Sequence, residues 1–92
     1  MPAKTFTLIH GLWHGGWCWA RVADRLRGLG HRVTTPTLTG LGERSHLLHR
    51  DITPDDHVTE IVNTLHWRHL TRVFLVGHSY GATIASALAR RA

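Results

Sequence analysis

Apolar positions along the chain alternate between two kinds of spacing. Phe6-Thr7-Leu8-Ile9, His31-Arg32-Val33-Thr34-Thr35 and Val73-Phe74-Leu75-Val76 are short β-rich runs, each followed closely by glycine or proline, which is how strands read. The last is apolar throughout, the pattern of a strand buried on both faces. Between these runs the period lengthens. Trp19, Val22, Ala23 and Leu26 fall on one helical face, Val58, Ile61, Val62 and Leu65 on another, and Ile84 and Leu88 stand four apart in the run Ala82 to Ala89. The spacing predicts a first helix from Trp17 or Cys18 to about Leu29, closed by Gly28 or Gly30. A second ends near Trp67 and starts with a mechanism: Thr53 as N-cap, Pro54 at the first helical position, Asp55 and Asp56 in the positive first turn. Thr37 to Ile52 keeps no period and carries Gly40 and Gly42, so it reads as a long connection, of the kind that tends to be functional. Strand and helix alternate three times. The expected class is therefore α/β, a three-layer αβα unit with three parallel strands, three helices and right-handed crossovers.

Candidate chemistry concentrates where the third strand ends. Gly77-His78-Ser79-Tyr80-Gly81 has the G-x-S-x-G spacing between an expected strand and an expected helix, which is the context the pattern requires. A serine on so sharp a turn needs small neighbours where strand and helix pass closest, hence Gly77 and Gly81. Its hydroxyl projects outward, while the N–H of Tyr80 points from a helix N-terminus that favours negative charge. Ser79 is thus the candidate nucleophile. His10-Gly11-Leu12-Trp13-His14-Gly15-Gly16 follows the first strand at the end where open α/β sheets hold ligands.

Charge and composition narrow the partners. The chain has 92 residues, at most one domain, and a net charge of +5 from eleven Lys and Arg against six Asp and Glu. The arginines are scattered without a basic run or a nucleic-acid motif, so solvated faces explain them and no nucleic acid is expected. The first strand is too short for a signal-peptide core or a membrane span, and Cys18 stands alone, so the expectation is a cytoplasmic chain away from membranes. Cys18 reads as packing.

His10-Gly11, Gly40-x-Gly42 and Gly77-x-Ser79-x-Gly81, each after a strand and in that order, resemble the N-terminal part of an α/β-hydrolase. Leu8 to Trp19 and Thr39-Gly40-Leu41-Gly42-Glu43-Arg44-Ser45 resemble more narrowly the branch of plant methylesterases, hydroxynitrile lyases and bacterial esterases. The resemblance runs over essentially residues 1–92, read as an incomplete α/β-hydrolase domain. It implies that the first strand lies between the other two, that Ser79 attacks a small-molecule carboxylic ester, and that the N–H groups of Leu12 and Tyr80 form the oxyanion hole. It implies no cofactor. His10 would support the oxyanion loop, with Gly11, Trp13, His14, Gly77, His78 and Gly81 lining or shaping the site. Gly11 stands where the lyases tend to carry threonine, which favours an esterase. The family order is serine, acid, histidine, yet Asp and Glu occur only up to Glu60 and the last histidine is His78. The expectation is a fragment that is inactive or very weak alone; the alternative is a non-catalytic module for binding or assembly.

Nine histidines raise the question of a metal. His10-x3-His14, His46-x2-His49 and His66-x2-His69 have ligand-like spacing but no completing Cys or carboxylate set, so no metal site is expected. His31, His57, His66 and His69 read as surface residues, and His78 as pointing away from Ser79. Trp17 and Trp19 read as packing under the glycine loop, Glu43 and Arg44 as a local ion pair. The outer strands would lack neighbours, and exposed edges invite self-association.

Overall fold

The computed structural model describes residues 2–91. β1 (Thr5–Ile9) leads through a 3-10 turn (Gly16–Trp19) into α1 (Ala20–Gly28). β2 (Arg32–Thr34) is followed by a second 3-10 turn (Gly42–Leu47) and α2 (Pro54–Trp67). β3 (Val73–Gly77) leads into α3 (Tyr80–Arg91). The sheet is parallel with the order β2-β1-β3. Thr5 pairs with Arg32 on one side and Val73 on the other, and Ile9 pairs with Gly77.

That order dictates where the helices go. The crossover from β1 to β2 moves one way along the sheet and the crossover from β2 to β3 moves back, so right-handedness puts α1 and α2 on opposite faces. α2 packs on α3, and α3 on β3 and β1, while α1 contacts β2. Ile9 and Leu75 face the α2–α3 layer, where they join Leu38, Leu41, Val58, Ile61, Ile84 and Leu88 in the core. The start of α2 follows its sequence: the Thr53 hydroxyl accepts from the Asp56 N–H, and the Asp56 carboxylate accepts from the Thr53 N–H at 2.8 Å, closing a capping box.

The opposite face is covered on one side only. Leu8 is buried there, but Phe74 is 50% and Val76 36% exposed. β3 is therefore not buried on both faces: α1 reaches β2, and no described element covers β3 on this side. Phe74 is instead stacked on Phe6 at 5.4 Å, with the Lys4 ammonium 5.3 Å above its ring. The first α-helix starts later than expected, because Gly16 to Trp19 form a 3-10 turn before it, and Val22 on its expected inner face is exposed. Trp17 and Cys18 are exposed as well, so Cys18 does not pack inside as expected, while the Trp17 ring lies beside Gly15 and edge-on to His14, against the glycine loop. Among the described residues no helix is long and apolar enough to cross a membrane.

Candidate functional site

Three loops meet at the C-terminal end of the sheet. The one after β3 is the tightest. Ser79 adopts φ 57°, the left-handed region that an L-residue occupies only under constraint. The constraint is visible at the flanking glycines. A Cβ on Gly77 would collide with the backbone of Gly81, and a Cβ on Gly81 with the carbonyl oxygens of Ile9 and His10. The turn is closed by Gly81 N–H donating to His78 C=O and Ala82 N–H to Ser79 C=O, both 2.9 Å. His78 N–H continues the ladder to Ile9 C=O at 3.1 Å, which carries β1 up to the turn. Ser79 and His78 are exposed.

The glycine loop after β1 lies directly against this turn. A Cβ on Gly11 would sit 3.3 Å from the Ser79 Cβ and 3.2 Å from the His78 carbonyl oxygen. Trp13, with φ 65°, and His14 extend past Gly11 into solvent, and Leu12 is half-exposed. Among the described residues neither the Leu12 N–H nor the Tyr80 N–H finds a partner. His14 and His78 line a shallow cavity of about 280 Å³ together with Cys18, Trp19 and Val22. A larger cavity of about 460 Å³, lined by Val62, Leu65, Leu75, Leu88 and neighbours, lies at the other end of β3 and has no nucleophile in its walls.

His10 holds the glycine loop in place. It is completely buried; Nδ1 lies 2.7 Å from the Gly11 carbonyl oxygen, and Nε2 accepts from the Leu38 N–H at 3.0 Å. A carbonyl only accepts, so Nδ1 carries the proton and Nε2 is the bare acceptor. Burial pushes this imidazole below its ordinary 6.5, with the Gly11 bond opposing that shift. Both nitrogens are occupied, so His10 has no lone pair to offer Ser79. Its grip on the Gly11 carbonyl also sets the Leu12 N–H, because the two belong to one planar trans peptide and point opposite ways.

A second buried imidazole was not legible as such. His57, expected at the surface, is 5% exposed. Its Nε2 lies 2.9 Å from the Thr39 carbonyl oxygen and its Nδ1 2.8 Å from the Tyr80 hydroxyl. By the same rule Nε2 donates to that carbonyl, and Nδ1 shares its hydrogen bond with the Tyr80 hydroxyl. Burial raises the Tyr80 phenol above its ordinary value, so it is a donor at neutral pH. The signal was present in the sequence: His57, Ile61 and Leu65 follow one another at steps of four along the apolar stripe of α2.

The connection after β2 is held by charge. Arg44 pairs with Glu60 at 3.0 Å and donates to the Thr37 carbonyl, rather than pairing with Glu43. Glu60 also accepts from the Thr39 N–H at 2.7 Å. Glu43 instead accepts from the Thr37 hydroxyl at 2.7 Å, and that bond holds its carboxyl below the usual range. The Thr37 hydroxyl in turn accepts from the Gly16 N–H at 2.8 Å, tying this loop to the first. Trp19 is half-buried with its indole N–H unpartnered. No group of three or more His, Cys, Asp or Glu among the described residues is arranged to hold a metal.

Comparison with known proteins agrees with this architecture. Residues 8–92 match the family described as the alpha/beta hydrolase family. The chain is 45% identical over 86 residues to a carbendazim hydrolyzing esterase of a Nocardioides species, covering 94% of this chain and 36% of that protein. It is 39% identical over 89 residues to methylesterase 4 of Arabidopsis thaliana, covering 94% and 33%. Among solved structures, an extracellular α/β-hydrolase from a Paenibacillus species superposes with a TM-score of 0.85 at 31% identity, over 96% of this chain and 35% of that one. Polyneuridine aldehyde esterase superposes with a TM-score of 0.77 at 27% identity, over 95% and 34%. The chain spans about a third of the length of the relatives it matches. On its fold, its motifs and these likenesses together, the chain belongs to the alpha/beta hydrolase family.

Proposed function

We propose that this chain carries the nucleophile and the oxyanion hole of a serine hydrolase acting on small carboxylic esters. The observation that carries the reading is Ser79 itself, held at φ 57° on a strand-to-helix turn beside two N–H groups that find no partner among the described residues. The Ser79 Oγ attacks the ester carbonyl carbon and its proton passes to a base. The carbonyl oxygen becomes an oxyanion, which the N–H groups of Leu12 and Tyr80 meet at the start of α3. Each such donor is worth about 3 kcal/mol when removed from comparable sites. The alkoxide leaves with a proton, and water then releases the acid from the acyl-serine. No cofactor enters this chemistry. Relatives named as a carbendazim hydrolyzing esterase and a methylesterase support the ester as substrate class.

The base is what these 92 residues do not supply. No Asp or Glu follows Glu60 and no His follows His78, while His10 has both ring nitrogens engaged. A serine hydroxyl without a base is a poor nucleophile at neutral pH, so the chain by itself is inactive or very weak. A fluorophosphonate probe tests both halves of the proposal. The expected result is no adduct with the chain alone, and a slow adduct located at Ser79 by mass spectrometry when imidazole is added as an external base. An adduct that persists in Ser79→Ala would overturn the nucleophile, and stoichiometric labelling without imidazole would overturn the missing relay.

A further inference from the structure

His57 sits on α2, away from the turn that carries Ser79, yet it touches two of the three loops that build the site. We propose that His57 is a positioning residue, latching the start of α3, and with it the Tyr80 N–H, to the loop after β2. This rests on the reading of Ser79 and Tyr80 given above and extends it to a group outside the turn.

The turn is held in part by its own backbone. Its two closing hydrogen bonds, from Gly81 to His78 and from Ala82 to Ser79, fix its shape, and the His78 N–H bond to Ile9 seats its strand end on β1. The Tyr80 side chain ties down its helix end. Its hydroxyl is hydrogen-bonded to His57 Nδ1 at 2.8 Å, and its ring meets the imidazole edge-on at 5.6 Å and 78°. The other nitrogen of His57 grips the Thr39 carbonyl at 2.9 Å. Thr39 follows Leu38, whose N–H is held by His10, and His10 holds the Gly11 carbonyl. A single chain of hydrogen bonds therefore runs from the Gly11–Leu12 peptide through His10, Leu38–Thr39 and His57 to Tyr80. Its two ends are the residues whose N–H groups form the proposed oxyanion hole. His10 carries its proton on Nδ1 and His57 carries one on Nε2, as the carbonyl at one nitrogen of each requires. Both rings are buried, so each bond is strengthened by low polarity and each lost partner is not replaced by water.

Three readings on the 92-residue chain test the latch. Long-range proton–nitrogen correlation spectra at neutral pH are expected to find a proton on His57 Nε2; an Nε2 without a proton overturns the arrangement. Tyr80→Phe keeps the ring and removes the hydroxyl. It is expected to speed amide exchange at Gly81 about tenfold, beyond the change in Ile61→Val, a control that loosens the same helix layer without touching the latch. It is also expected to slow imidazole-assisted labelling of Ser79 about tenfold at unchanged circular dichroism. His57→Gln, whose amide N–H can still reach Thr39, recovers part of what His57→Ala loses. Exchange and labelling no different from those of the Ile61→Val control would overturn the proposal. Should Gly81 lose protection in Tyr80→Phe while the unsubstituted chain never labels at Ser79, the latch stands and the nucleophile reading falls.

Discussion

The two faces of the sheet are built to different standards. On the α2–α3 face Ile9, Leu38, Val58, Ile61 and Ile84 are all essentially without solvent contact. On the α1 face Leu8 is buried but Phe74 and Val76 stand half-open beside it. Both faces come from the same strands, with the same alternation of apolar side chains. What differs is the crossover geometry: two helices descend on one face and a single helix, placed over β2, on the other. The site takes its order from the closed face. His57, Tyr80 and Glu60 all reach it from the α2–α3 side, and they hold loops that a half-covered sheet would leave loose.

The largest expected break is at the contact between the turn and β1. Gly81→Ala drives a Cβ into the carbonyls of Ile9 and His10, at a cost of about 3 kcal/mol or more. A chain of this size has little stability to spare, so urea titration should find it largely unfolded. The faces themselves are compared by one truncation each. Ile61→Ala on the closed face should cost about 2–5 kcal/mol, against about 1 kcal/mol or less for Phe74→Ala on the open one. Equal midpoint shifts in denaturant would mean that the open face is covered in solution. His10 sharpens the comparison through pH. Its folded-state value lies below the ordinary 6.5, so above 6.5 both folded and unfolded chains hold it neutral and its contribution is whole. As pH falls below 6.5 the unfolded chain binds a proton that the folded chain refuses, and stability drops by up to about 1.4 kcal/mol per pH unit until the folded-state value is passed. His10→Gln should flatten that part of the curve in denaturation measured from neutral to mildly acid pH. The smallest effect belongs to Phe74→Lys, which should reduce concentration-dependent sedimentation if the open face and the free edge of β3 drive self-association, with little change in the unfolding midpoint.

The Gly77-x-Ser79-x-Gly81 spacing and its strand-to-helix context announced the turn, because the backbone cannot make it with larger residues at those places. Thr53, Pro54 and Asp56 announced the start of α2 for an equally local reason. The histidines divide differently. His10 is legible only through the resemblance of His10-Gly11 to the family motif, whereas His57 reads as a surface residue although it lies on the apolar stripe of its helix. Its partners, Thr39 and Tyr80, are 18 and 23 residues away, and no spacing within α2 points to them. Arg44 likewise chose Glu60 over the adjacent Glu43, since the chain folds Glu60 against Thr39 and leaves Glu43 to Thr37.

What the sequence by itself determined are the features set by short-range sterics and periodicity: three strands, three helices, their order, and a serine on a glycine-framed turn. A parallel sheet follows from that alternation because each intervening helix returns the chain to the end of the sheet where the previous strand began. Only the tertiary structure decided which polar groups lie inside, which face of β3 stays open, and how two buried imidazoles span the loops. Those depend on the side from which each helix descends and on which distant carbonyl or hydroxyl it brings within hydrogen-bonding distance, and neither is encoded in any run of neighbouring residues.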